Sequence, residues 1–230
     1  MYKFFSLFKE ANNPSVFSKL LESKTPLFLE EFNKWIITGF KSPPPLGVKW
    51  EVLSRWNNSE HWIETGTLWG ETTEFLSRKN IFVITIEGSK EIFDKAVSKF
   101  ANNNFVEVIH GLSEEKIDFA ITKIINNGAK SICFWLDGHY SGPGTHQGPI
   151  DTPIISELAA ISHRLTELTH VTVFIDDIRL FNVGNKKHQD YPNLEQLVEW
   201  ALINKMYWTI ELDIFIATND YSSIKLYANG

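Results

Sequence analysis

Acids and glycines in this sequence stand directly after apolar runs, where an ion is costly unless something holds it. The first such place is Trp62-Ile63-Glu64-Thr65-Gly66-Thr67-Leu68-Trp69-Gly70-Glu71-Thr72-Thr73. An apolar pair runs into Glu64, two glycines follow four residues apart, and Phe75 and Leu76 then open a helical pattern. Strand, tight turn and helix is the order this predicts. Gly66 lets the backbone turn sharply and lets a ligand come close to it. A helix beginning near Gly70 would present unpaired N–H groups and a positive dipole end to a carboxylate or phosphate. Glu64 offers a charge for a ligand amine. The competing reading is a plain strand-helix turn. The spacing is not the G-x-G-x-x-G of dinucleotide binding.

Glu87 ends the next apolar run, about 20 residues after the glycine turn, a spacing that suits a carboxylate accepting two ribose hydroxyls. Its alternative is an acid capping the helix that opens at Ser89. Ser113, in His110-Gly111-Leu112-Ser113, is a candidate for a base edge or for a helix cap. Asp137, Asp176 and Asp177 follow two further apolar runs. Three crowded carboxylates repel one another, and a hard cation such as Mg2+ relieves that with oxygen ligands while keeping open positions. The alternative has two of these acids capping helices and one pairing with Arg179.

Between Asp137 and Pro153 lies a polar, glycine-rich stretch containing His139, Tyr140, Ser141, Thr145 and His146. A loop this long is usually functional or disordered, and at the carboxyl edge of a sheet it is placed as a lid. His139 is a candidate general base, because imidazole titrates near neutrality; the competing reading is a hydrogen-bonded structural histidine. Tyr140 could stack on a substrate or simply pack, and Ser141, Thr145 and His146 are further candidates for the substrate side and lid.

Positioning these residues at one edge takes alternating strands and helices. Strand patterns fall at 61–64, 81–87, 106–110, 131–137 and 171–176. Between them, apolar residues recur at three and four, as in Ile92, Phe93, Ala96 and Val97, or Ile117, Ala120, Ile121 and Ile124. This alternation predicts parallel strands with helices on both faces, and ligands beyond the carboxyl ends of the strands. Residues 206–218 read as two strands around Leu212-Asp213, which must pair antiparallel. The expected architecture is α/β: a mostly parallel, seven-stranded sheet with an antiparallel last strand.

Residues 1–60 differ and read as a helical extension to a ligand-binding domain over 61–230. One helix is expected around Val16, Phe17, Leu20 and Leu21. A second is expected around Leu29, Phe32, Trp35 and Ile36, with Thr25 as cap and Pro26 in its first turn. The prolines of residues 41–47 break any regular element. A dimer contact and a wall of the substrate pocket are roles open to this extension.

Composition narrows the class. The 230 residues are 43% hydrophobic and 22% charged, as in a globular protein, and the net charge of −6 argues against a nucleic-acid surface. The one cysteine, Cys133, forms no internal disulfide and reads as a buried thiol. No apolar run reaches the roughly 18 residues that span a bilayer, and Met1-Tyr2-Lys3-Phe4-Phe5 has no signal-peptide pattern. A cytoplasmic protein with no membrane span is expected.

Taken together, these motifs resemble the class I S-adenosylmethionine-dependent methyltransferases. Within them they resemble the metal-dependent O-methyltransferases of the catechol and macrocin kind. The stretch from Ile63 to Thr72 is similar to E-x-G-x-x-x-G-x-[ST], and Thr85-Ile86-Glu87 resembles the ribose-binding acid. His110-Gly111-Leu112-Ser113 is similar to the adenine-proximal turn. Trp135-Leu136-Asp137 and Ile175-Asp176-Asp177 match the places where that family holds Mg2+. The resemblance covers about residues 60 to 218 and implies a Rossmann-like methyltransferase fold. It implies cofactor contacts at Glu64, Thr65, Gly66, Thr67, Gly70 and Thr72, then at Glu87, Gly88, Gly111, Ser113 and Asp137. Asp137 with His139 would be the catalytic pair. Glu-Thr-Gly-Thr, His-Tyr-Ser after a strand-end Asp, and Ile-Asp-Asp are similar to bacterial methyltransferase-like proteins found among surface-polysaccharide genes. That implies a saccharide or other small polar acceptor. The lysine base of the catechol type is missing after Asp137, and the long lid is unlike those enzymes. A metal-dependent hydrolase using the same aspartates, a dinucleotide oxidoreductase and a non-catalytic protein of the same fold are the rival classes.

Overall fold

The computed structural model describes residues 26–39, 43–138, 152–181 and 191–222. The chain divides into two compact units, one ending at Val52 and one beginning at Leu53. In the first, α1 (Pro26–Ile37) opens on a proline, whose missing N–H costs nothing at a helix start. Phe32 and Trp35, three apart, are buried with ring centres 6.1 Å apart. The helix expected around Val16 lies outside the described residues. The helix α2 (Leu46–Arg55) starts within the proline-rich stretch that was expected to exclude regular structure. The N–H groups of Val48 and Lys49 donate to the Pro45 carbonyl, 2.9 and 3.2 Å away. The prolines end where the helix begins and do not interrupt it.

From His61 the elements alternate: β1 (His61–Thr65), α3 (Glu71–Ser77), β2 (Phe82–Glu87), α4 (Lys90–Phe100), β3 (Val106–His110) and α5 (Ser113–Asn126). Then come β4 (Ser131–Leu136), α6 (Ile154–Arg164), β5 (His170–Ile175), α7 (Leu194–Ile203), β6 (Tyr207–Glu211) and β7 (Ile214–Thr218). The seven strands form one sheet in the order β3-β2-β1-β4-β5-β7-β6. The first five pair in parallel, and β7 pairs antiparallel with both β5 and β6. The β6–β7 turn is two residues long, with Leu212 at φ 47° and Asp213 at φ 73°, the twist that matches flanking strands.

Strand residues alternate between the faces. Ile63, Ile84, Phe134, Val173 and Ala217 join one apolar cluster with Ile117, Ile121 and Ile124 of α5, Leu158 and Ile161 of α6, and Leu197 and Ala201 of α7. On the other face Trp62 and Phe174 stack at 5.3 Å, and α3 lies on the Glu64 side through Thr73. Helices therefore cover both faces. Cys133 is buried, and burial pushes its thiol up to about 12, which makes it inert. Among the described residues, no helix is long and apolar enough to cross a membrane.

Candidate cofactor crevice

The strand order reverses direction between β1 and β4, and such a switch point opens a crevice at the carboxyl edge. Thr65 is paired with Ile86 on one side and Leu136 on the other. The Gly66 N–H donates to the Ile86 carbonyl at 3.0 Å, and the Asp137 N–H donates to the Thr65 carbonyl at 3.1 Å. Gly66 has φ +84°, and a Cβ there would lie 2.5 Å from the Asp137 carbonyl oxygen. Conformation and space both demand glycine. A Cβ on Gly138 would lie 3.2 Å from Thr65 Oγ1 and 3.5 Å from Ser113 Oγ. The glycine turn, the end of β4 and the start of α5 thus meet at one place. Thr65 Oγ1 is buried there and bonds to none of the described residues, so a ligand donor or acceptor would satisfy it. Ser113 is the first residue of α5 and makes no side-chain cap.

Glu64 is buried and serves as an internal strut. Its Oε2 accepts from Thr73 Oγ1 of α3 and, at 2.6 Å, from Thr85 Oγ1 of β2. Thr85 spends its proton on Glu64, so in the 2.6 Å contact with Thr67 it is Thr67 that donates. The chain Thr67–Thr85–Glu64–Thr73 ties turn, two strands and helix together. Burial pushes the Glu64 carboxyl up to about 7, partly offset by the Thr73 and Thr85 hydroxyls. The ligand-amine role read from the sequence competes with this internal employment.

Glu87 is also buried, at the end of β2. Its Oε2 accepts the Leu68 N–H at 3.1 Å and its Oε1 the Ser89 N–H at 2.8 Å. Each carboxylate oxygen keeps a second lone pair, which fits a ribose diol added from the crevice. Gly88 follows, half-buried. Leu68, at φ 47°, sits in the turn, and Leu68 and Trp69 are both exposed. The expected anion site at Gly70 fares less well. Helix α3 has only seven residues, and Glu71 and Glu74 already put negative charge in its first turn. Lys99 of α4 donates instead to the carbonyls of Trp69 and Gly70, at 2.9 and 3.2 Å, and holds Glu74 at 2.9 Å. Thr72 is buried on α3 beside Thr73. Gly111, at φ +143°, lies against Lys116 of α5.

Asp137 and Asp176 stand one residue beyond the paired ends Leu136 and Ile175, and the Asp176 N–H donates to the Leu136 carbonyl at 3.2 Å. The metal reading expected Asp137, Asp176 and Asp177 to gather at this edge. Among the described residues, no group of three or more His, Cys, Asp or Glu is placed to hold a metal ion. Asp177, at φ 55°, accepts from Arg179 at 2.6 Å, and the same guanidinium nitrogen bonds Asp213. Among the described residues the donor set does not fit a hard cation, and no chemical step is derived through one.

Of the residues singled out in the sequence, Thr65, Gly66, Ser113 and Asp137 are brought together. Glu64 and Glu87 support the same turn from beneath and beside. His139, Tyr140, Ser141, Thr145 and His146 lie outside the described residues. Sequence reasoning missed Thr73, Thr85 and Lys99, which hold the turn. Thr85 was discoverable, because it sits two residues before Glu87 and so points to the opposite side of the strand end from Ile86.

No family model matches the chain, and no curated protein does. Solved structures do. A proposed caffeoyl-CoA O-methyltransferase from Staphylococcus aureus matches with a TM-score of 0.53 at 14% identity, covering 90% of this chain and 98% of that one. The CcbJ methyltransferase of Streptomyces caelestis matches with a TM-score of 0.50 at 11% identity, covering 77% and 90%. Identity this low speaks to architecture. The strand order, the antiparallel β7 and these likenesses agree: the chain has the Rossmann-like methyltransferase fold.

Proposed function

We propose that this chain is an S-adenosylmethionine-dependent methyltransferase acting on a hydroxyl of a small polar acceptor, a saccharide being the class its motifs favour. The observation that carries the reading is the convergence at the switch point, where Gly66 abuts Asp137 and Gly138 abuts Thr65 and Ser113. Glu87 stands at the neighbouring strand end with lone pairs to spare. When bound, S-adenosylmethionine supplies a methyl group on a sulfonium centre that is open to in-line displacement.

The chain's own work is holding and proton transfer. Gly66 presents bare backbone to the ligand, Glu87 accepts the ribose hydroxyls, and Ser113 and Thr65 meet the nucleoside from β4's side. The acceptor must be held with its oxygen about 3 Å from the methyl carbon and in line with the sulfur. His139, two residues beyond Asp137, is the proposed acceptor of the hydroxyl proton. In such a transfer the imidazole of His139 would take the proton of the acceptor hydroxyl as the oxygen takes the methyl group. The hydrolase alternative needs Asp137, Asp176 and Asp177 to act together, and Asp177 is paired with Arg179 instead.

Calorimetric titration with S-adenosylhomocysteine tests the reading. Binding is expected, and Glu87→Ala should weaken it about tenfold to a hundredfold, as for the loss of one or two charged hydrogen bonds. A wild-type chain that ignores S-adenosylhomocysteine defeats the proposal.

A further inference from the structure

The sheet edge expected to hold a divalent ion already contains a cation that belongs to the chain. One guanidinium nitrogen of Arg179 donates to Asp177 Oδ1 at 2.6 Å and also to Asp213 Oδ2. The backbone closes the same contact from below. The Arg179 N–H donates to Asp213 Oδ1 at 2.8 Å, and the Ile178 N–H donates to the Asp213 carbonyl at 3.0 Å. Both carboxylates are close to nine-tenths buried, with side chains 12% and 11% exposed. They reach this place from different elements. Asp177 follows β5 in a left-handed conformation that starts the short turn Ile178–Leu180, and Asp213 sits at the tip of the β6–β7 hairpin. Two carboxylates so placed repel unless a cation lies between them, and here the cation is covalently part of the chain.

We propose that Arg179 is the resident cation of this edge, neutralising Asp177 and Asp213 in place of a divalent metal, so that ligand binding in the crevice is metal-independent. A guanidinium does not lose its proton in a protein, so it does not vacate the position. A metal taking Asp177 as ligand would have to strip away Arg179 or sit against a like charge. Either leaves a buried ion without its partner, which is unfavourable. The inference rests on the methyltransferase reading only for what the metal would otherwise do; the ion triad stands by itself.

The test is manganese titration of the chelator-treated full chain, read by calorimetry and by the Mn2+ spin-resonance signal. S-adenosylhomocysteine affinity is measured in parallel with chelator and with Mg2+. The expected result is no saturable one-site Mn2+ isotherm and the same S-adenosylhomocysteine affinity in both buffers. A one-site isotherm that Asp177→Asn abolishes, or binding that tightens with Mg2+, would overturn the proposal. Arg179→Met leaves the two carboxylates facing each other. It should lower the melting temperature and create a Mn2+ response that restores it. A folded Arg179→Met chain with no such response also counts against the proposal. If that variant does not fold, the wild-type titration still decides. Failure of S-adenosylhomocysteine to bind in either buffer defeats the methyltransferase reading and leaves the manganese result to judge Arg179 alone.

Discussion

Glu64 is a carboxyl that folding tends to discharge. Its ordinary value of 4.5 rises to about 7 because burial strips away water faster than the Thr73 and Thr85 hydroxyls replace it. The folded state therefore binds this proton more tightly than the unfolded state does. Stability from this group is fully present below pH 4.5 and is lost as pH climbs through about 7. The loss amounts to roughly 3 kcal/mol, at about 1.4 kcal/mol per pKa unit. Urea unfolding of the wild type should show that decline between those pH values, and Glu64→Gln should flatten it. An equal slope in the variant would mean that some other group titrates. Gly66→Ala is argued from sterics: a Cβ placed 2.5 Å from the Asp137 carbonyl, at φ +84°, should cost about 3 kcal/mol. A midpoint unchanged in denaturant would contradict the tight contact. Both positions were visible in the sequence, since an acid after an apolar pair and a glycine after that acid are local signals. The partners of Glu64 were not. Thr72 and Thr73 differ only in helix phase, and nothing local tells which of two adjacent threonines faces the strand.

At the scale of elements, the β6–β7 hairpin carries the clearest strain. Leu212 and Asp213 both sit at positive φ, where Asn and Gly are the preferred residues. Asp213 has a reason to be there, since its side chain and carbonyl hold Arg179 and Ile178. Among the described residues, no side-chain hydrogen bond to Leu212 offsets its strain in the same way. Leu212→Asn should therefore stabilise by about 1 kcal/mol, raising the melting temperature by roughly 2–4 °C. A lower melting temperature would show that the leucine packs in a way that compensates. The antiparallel pairing of these strands followed from the sequence, because two residues leave no room for a crossover. The link from Asp213 back to Asp177 did not, because the hairpin brings it across 36 positions by tertiary packing. The pairing of Asp177 with Arg179 was one of the two readings open in the sequence, and it is the one seen. Helix α2 was missed for a different reason. A proline run is a barrier to a helix passing through it and no barrier to one that begins at its end.

For the whole molecule, the parallel alternation was legible because every helix from α4 to α7 buries one face at intervals of three and four. The order of the strands was not, since periodicity says that strands exist and not which are neighbours. The sheet order places the crevice between β1 and β4, and a ligand seated there bridges the two halves of the sheet. Such a ligand binds only the folded chain and must stabilise all of it. S-adenosylhomocysteine at about 100 times its Kd should add about 2.7 kcal/mol, a rise of roughly 5–10 °C in melting temperature for a chain of this size. Differential scanning calorimetry that finds no shift would separate the crevice from the sheet's stability. The position of β7 has a consequence for synthesis. This strand is the last of those described, yet it lies inside the sheet, flanked by β5 and β6. While the chain is being made, β5 must therefore wait with one side bare until Thr218 has emerged from the ribosome. A nascent polypeptide in that state exposes an apolar, unpaired border, and the five residues from Ile214 to Thr218 are the ones that seal it.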